Sequence, residues 1–176
     1  MRPSKLYVVR AGDGFFARVA GRGDYGLGPV LEERGLAAIG QGVHTVVVDF
    51  QSCSYLDSTF VGALVALACA LREAHGQIIL NCVSGWIRDR LHAMGLDDFF
   101  VVTESPFAEA LAPAAEPELK AVTAPSLSRE EAARYIIRAH ERLAEMCPAH
   151  KEHFLQVVEA LKRELKRSDR SRGGRF

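Results

Sequence analysis

Asp57, Ser58 and Thr59 stand in a row where a run of β-branched and aromatic residues gives way to an apolar stripe at helical spacing. Short polar side chains at such a junction favour helix capping, because their oxygens accept from the orphan amides of a first turn; one of the three is the cap. A hydroxyl there can do a second thing. Free backbone N–H groups and the positive end of the helix dipole both favour phosphate at a helix start, so Ser58 is a candidate switch.

The elements that must hold this triplet are a strand, a turn and a helix. Thr45 to Phe50 is apolar without alternation, the pattern of a strand covered on both faces. Gln51 to Leu56 breaks that run with small polar residues and reads as a turn. From Asp57 on, Val61, Leu64, Val65, Ala68 and Leu71 fall on one helical face.

The run Tyr55-Leu56-Asp57-Ser58-Thr59-Phe60-Val61-Gly62, after the strand VVVDF, resembles the signature of the STAS domain, as found in bacterial anti-sigma factor antagonists. The resemblance implies that the Asp-Ser-Thr triplet opens the helix and that Ser58 is the phosphoacceptor for a partner kinase that doubles as an anti-sigma factor. Asp57, Thr59, Phe60 and Gly62 then flank the site. Phe60 stands where the family often has glycine, and Gly62 keeps the next glycine. Asp24 matches an aspartate that lies near the phosphoacceptor in the family; without the resemblance it is a solvated loop aspartate.

Along the chain, Leu6 to Arg10 and Phe15 to Ala20 read as antiparallel strands joined through Ala11-Gly12-Asp13-Gly14, with Asp-Gly suiting a tight turn. Gly28 to Gly42 has helical spacing weakened by Gly35 and Gly40. Gln77 to Val83 is a strand, Trp86 to Met94 a short helix that Gly95 can close, Phe99 to Thr103 a strand and Pro106 to Leu111 a helix. Trp86 is expected to be a half-buried packing residue. Strands alternating with helices predict parallel pairing with right-handed crossovers. The expected fold class is α/β: a small mixed β-sheet with packed helices, STAS-like by resemblance, plus a C-terminal αα-hairpin.

Residues 1–112 form the expected STAS-like domain, and 113–127, where Pro113 to Pro125 holds three prolines, a linker. Ser128 with Glu131 makes a capping box that opens a helical hairpin over 128–167, with stripes Ala132, Ile136, Ala139, Leu143, Met146 and Phe154, Val157, Val158, Leu161, Leu165. Two such helices cannot enclose a core alone, so they must dock on the first domain, on a second copy or on a partner. Residues 168–176 read as a basic disordered tail.

Of the 176 residues, 48% are hydrophobic, enough for a core of domain size, and the formal net charge is zero, which argues against bulk DNA binding. The halves differ in sign: residues 1–112 carry 9 basic and 12 acidic side chains, the remainder 13 and 10. Cys53, Cys69, Cys82 and Cys147 show neither metal nor redox spacing, and no apolar run is long enough to span a bilayer, so a cytoplasmic protein without membrane insertion is expected.

Three patterns could mislead. Gly21-Arg22-Gly23-Asp24-Tyr25-Gly26 satisfies the dinucleotide fingerprint, with Asp49 after it, but the preceding strand belongs to a hairpin and no second nucleotide-binding half exists. Cys147, His150 and His153 straddle a helix start without a fourth ligand, so no metal is expected. Ser58 lacks the Gly-x-Ser-x-Gly elbow of a hydrolase. The expectation is therefore a non-enzymatic, cofactor-free anti-sigma factor antagonist switched at Ser58, with an anti-sigma factor or serine kinase as partner and a homodimer through the C-terminal helices as a further contact. The alternatives are a constitutive scaffold subunit of a signalling or lipid-transport assembly, and a nucleotide-binding protein using the Gly21 to Gly26 loop.

Overall fold

A computed structural model of the chain describes residues 4–104 and 119–173. It opens with two antiparallel strands, β1 (Lys5–Ala11) and β2 (Gly14–Gly23), in register from Lys5↔Ala20 to Ala11↔Gly14. The turn between them is Gly12-Asp13, with φ of +59° at Gly12, so the left-handed residue precedes the aspartate instead of following it. Helix α1 (Gly28–Gly40) leads to β3 (Thr45–Asp49), β4 (Cys53–Leu56) and helix α2 (Ser58–Glu73). Then come β5 (Gln77–Asn81), α3 (Gly85–Ala93), β6 (Val101–Thr103) and β7 (Lys120–Val122). Helices α4 (Arg129–Met146) and α5 (Lys151–Gly173) close the chain as a hairpin.

The strands run in the order β6-β5-β3-β2-β1-β7, with β4 paired to β2 off this path. Pairings β2–β3, β3–β5 and β5–β6 are parallel, and β1 is antiparallel to both of its neighbours. The sheet is therefore mixed, as the hairpin followed by alternating elements predicts. Strand β2 serves two partners: residues 14–18 pair with β3, and after a register shift between Gly21 and Arg22 its last residues pair with β4.

Alternate side chains of the central strands divide between two faces. Phe15, Ala17, Val46, Val48, Ile78 and Leu80 join the helices in one large apolar cluster, while Phe16 and Val47 form a small one on the opposite face. Leu143, Ala144, Cys147 and Phe154 belong to the large cluster too, so the hairpin of α4 and α5 shares a core with the sheet. Helix α2 lies between the sheet and α4, which explains why Thr59 through Ala68 are all buried instead of one stripe alone. Close packing also accounts for Gly35, an apparent weak point in α1: a Cβ there would sit 2.6 Å from Leu67 Cδ2 on α2.

Several elements depart from the sequence expectation. Gln51 to Leu56 contains strand β4, missed because its pairing to β2 past the register shift needs no hydrophobic alternation and leaves Ser54 exposed. The segment assigned to a linker contains β7, which pairs with β1 through Leu6↔Val122 to Val8↔Lys120. Helix α5 continues through the start of the basic tail to Gly173, as the absence of glycine and proline from 151–172 permits. Trp86 is exposed, at 41%. The expected helix Pro106 to Leu111, the first part of the linker and the last three residues lie outside the described residues.

Candidate functional site

The start of α2 is positioned by the two ends of an unusual strand pair. Where β4 finishes beside the end of β2, Asp57 N–H donates to the Gly23 carbonyl at 3.0 Å, bringing Asp57 beside Asp24. Asp57 is the N-cap: with φ −105° and ψ 169°, its Oδ1 accepts from the Phe60 N–H at 2.9 Å. Burial raises the Asp57 carboxyl above its ordinary 3.8; the Phe60 N–H opposes this, and the negative charge of Asp24 adds to it. Asp24 is itself fixed by an Asx-type turn, with Oδ1 accepting from Gly26 N–H at 3.0 Å and Oδ2 from Arg22 Nε at 3.3 Å.

Ser58, the first residue of α2, is half-buried, and its hydroxyl is engaged. Ser58 Oγ lies 3.0 Å from Nε2 of His140, a buried residue of α4. The opposite ring nitrogen, Nδ1, is 2.8 Å from the Ile136 carbonyl oxygen. A carbonyl can only accept, so in the neutral ring Nδ1 carries the proton and Nε2 presents its lone pair to the serine. Ser58 therefore donates to His140. Burial lowers the His140 pKa, against the pull of the Ile136 carbonyl and of Asp57, which keeps the ring in that neutral state at pH 7.

The other predicted site residues divide. Thr59 is buried at 5% exposure, leaving Ser58 the more accessible of the two hydroxyls. Phe60 does not crowd the serine: its ring is fully buried, edge-to-face with Phe50 at 6.4 Å. Gly62 sits under α4. A Cβ there would stand 2.7 Å from the Ala139 Cβ, so the absent side chain is what lets the two helices approach.

Four residues of the site were not picked out from sequence. Glu32 on α1 accepts from Tyr135 Oη at 2.9 Å and from Arg142 Nη2 at 2.9 Å, and Arg142 Nη1 reaches the Gly62 carbonyl at 3.0 Å. With His140 they make a polar seam between α4 and the α1–α2 surface. Burial, reinforced by the charge of Glu32, pushes the Tyr135 hydroxyl far above its ordinary range, so it remains a donor. The available signal was the spacing of Tyr135, Ala139 and Arg142 at i, i+4, i+7, a polar-edged stripe beside the apolar one.

The decoy motifs take other roles. Gly21, Arg22 and Gly23 are the last residues of β2 and only Asp24, Tyr25 and Gly26 lie in the turn before α1, so the first two fingerprint glycines do not shape the tight turn that would cradle a pyrophosphate. Cys147 is buried, whereas His150 and His153 are exposed; among the described residues no group of three or more His, Cys, Asp or Glu side chains could hold a metal ion. A cleft of about 700 Å³ beside Leu127, Ile136, Leu161 and Leu165 reaches Tyr25 but is not lined by Ser58. Among the described residues no helix is long and apolar enough to cross a membrane.

Residues 18–103, from β2 through the capped start of α2 to β6, match the family described as Mlab, STAS domain. They form a STAS domain. The fold is similar to that of SpoIIAA, an anti-sigma factor antagonist solved in its unphosphorylated form, with a TM-score of 0.51 and 21% identity over 60% of this chain and 92% of that one. The phosphorylated form of the same Bacillus cell fate determinant gives 0.52 and 22%, over 60% and 96%. An anti-sigma factor antagonist from Mycobacterium paratuberculosis gives 0.52 and 22%, over 62% and 92%. A search of curated proteins by sequence found no match.

Proposed function

We propose that this protein is a non-enzymatic regulatory binding domain of the anti-sigma factor antagonist kind, switched by phosphorylation of Ser58. Its partner in this proposal is a serine kinase that is also an anti-sigma factor. The observation that carries the proposal is the position of Ser58: the first residue of α2 in a STAS domain, capped by Asp57 and flanked by Asp24. The structural likeness to SpoIIAA, solved with and without phosphate, supports it. A phosphoryl group adds about −1.5 to −2 charge at neutral pH, tolerable at a helix start but costly in a dehydrated interface that accepts a neutral hydroxyl. The test is a pull-down from the source cells with wild type, Ser58→Ala and Ser58→Asp baits, coupled to intact-mass analysis of the recovered chain. A partner held by wild type and Ser58→Ala but lost by Ser58→Asp is expected. Equal capture by all three baits contradicts the switch.

A second proposal, a constitutive scaffold, is favoured by one observation: the Ser58 hydroxyl already donates to His140 and is half-covered by α4. A scaffold would bind its partners without ever acquiring phosphate. Intact mass after expression in the source cells separates the two, since only the switch gains the mass of a phosphoryl group.

A further inference from the structure

We propose that the hairpin of α4 and α5 is an intramolecular cap on the Ser58 surface, closed while the serine is unmodified and expelled when it carries phosphate. This rests on Ser58 being the phosphoacceptor and adds a level of control to it: the face that would receive a partner is already occupied by the chain's own helix.

Three features support the cap. The contact centres on Ser58 itself, through the hydrogen bond to His140. Beneath α4, helix α2 presents small residues at Ser58, Gly62 and Cys69, which meet His140, Ala139 and Met146, beside the apolar contact that Leu143, Ala144 and Cys147 make with the main core. The contact also holds partly and fully covered polar groups, Tyr135 and Arg142 on Glu32 and the Gly62 carbonyl, all of which can be solvated on release. The hydrogen-bonded part of this contact can exchange its partners for water, whereas Leu143, Ala144, Cys147 and Phe154 keep the hairpin seated in the shared core until the Ser58 contact turns repulsive.

Phosphate is incompatible with the closed arrangement. In the transfer, Ser58 Oγ forms a bond to the terminal phosphorus of a nucleoside triphosphate, the bond to the nucleoside diphosphate breaks, and the serine proton passes to a base of the kinase. The product has no hydroxyl proton to give to His140. Its anionic oxygens meet the Nε2 lone pair of a neutral imidazole at the place where 3.0 Å separated donor from acceptor, with the Asp57 carboxylate alongside. Like charge and unpaired acceptors push α4 away.

The experiment uses the full chain with phosphoserine genetically encoded at position 58, compared with the unmodified chain by hydrogen–deuterium exchange. Amides of residues 129–146 are expected to exchange at least about tenfold faster in the phosphorylated chain, while those of β3 and β5 keep their protection. Unchanged or increased protection of α4 overturns the proposal, the latter showing that His140 takes a proton and binds the phosphate. Glu32→Gln, which weakens the seam without touching Ser58, is a second arm: faster exchange confined to α4 and α5 supports a detachable cap, and unchanged exchange overturns it. Because the phosphate is installed without a kinase, the outcome is independent of whether one exists. Release of α4 in a chain that never gains phosphate in its own cells would leave the cap and remove the acceptor; protected α4 in a chain that does would do the reverse.

Discussion

Gly62→Ala tests the docking of α4 most directly. The new methyl carbon would lie 2.7 Å from the Ala139 Cβ, 3.0 Å from its Cα and 3.1 Å from its carbonyl oxygen, so at least one helix must shift. Overpacking of this kind costs about 1–3 kcal/mol, whereas replacing glycine by alanine inside a helix returns about 0.5–1 kcal/mol of backbone entropy. The net expectation is a loss of up to about 2.5 kcal/mol, read by urea denaturation as a lower midpoint at unchanged slope, with Tm down by up to about 10 °C. If α4 were not seated on α2, only the entropy gain would remain and the variant would be more stable than wild type. That sign reversal refutes the docking. Ala139→Gly supplies the other corner of a double-mutant cycle: removing its Cβ relieves the closest clash but not those with Cα and the carbonyl oxygen, so the pair should couple by more than about 0.5 kcal/mol without full rescue.

Two further outcomes follow from the electrostatics of the site. Because burial, with Asp24, raises the Asp57 pKa above 3.8, the folded state disfavours its carboxylate and carries that cost at pH 7. Asp57→Asn keeps an oxygen for the Phe60 N–H and drops the charge, so its thermal stability at pH 7 should equal or exceed wild type, whereas Asp57→Ala should lose about 0.5–2 kcal/mol; a loss in the asparagine variant as large as in alanine would show that the charge is needed. His140 has the opposite linkage: its pKa is lowered from 6.5, so the unfolded chain takes up the proton first, and stability present above pH 6.5 is lost as pH falls toward the lower, folded value. The groups facing the ring are Ser58, Asp57, the Ile136 carbonyl and His153 from α5. Urea midpoints of wild type should therefore decline between pH 7 and pH 5 more steeply than those of His140→Gln, and parallel profiles would exclude His140 as the source.

How much of this was legible in the sequence depended on whether the signal was local. The strand over Thr45 to Phe50, the Asp57-Ser58-Thr59 helix start and the Ser128–Glu131 capping box each rest on residues a few positions apart, and each is present. Parallel order followed from alternation of elements. What escaped were contacts whose partners are distant in the chain: β4 pairs with a strand some 30 residues earlier, β7 with one over 110 residues earlier, and His140 meets Ser58 across 82 positions. Phe60 is a case of the opposite kind. Its neighbourhood in sequence suggests a ring beside the serine, but helical geometry turns position 60 away from position 58 and into the core. The α4 stripe was likewise only partly right: Ala139 and Leu143 are buried, but the buried Tyr135 and His140 lie off it, because Tyr135 meets Gly28 and Glu32 on α1 while His140 meets Ser58 on α2 and Phe154 on α5.

Strand β7 sets the terms on which any outside protein would have to compete. It moors the chain to β1 only six residues, 123–128, before α4 begins. A helix set free at that anchorage remains within a few nanometres of its seat, at a local concentration in the millimolar range for so short a leash. A rival for the seat must outbid that tethered supply, so a weak binder gains little until α4 is destabilised, and then gains abruptly.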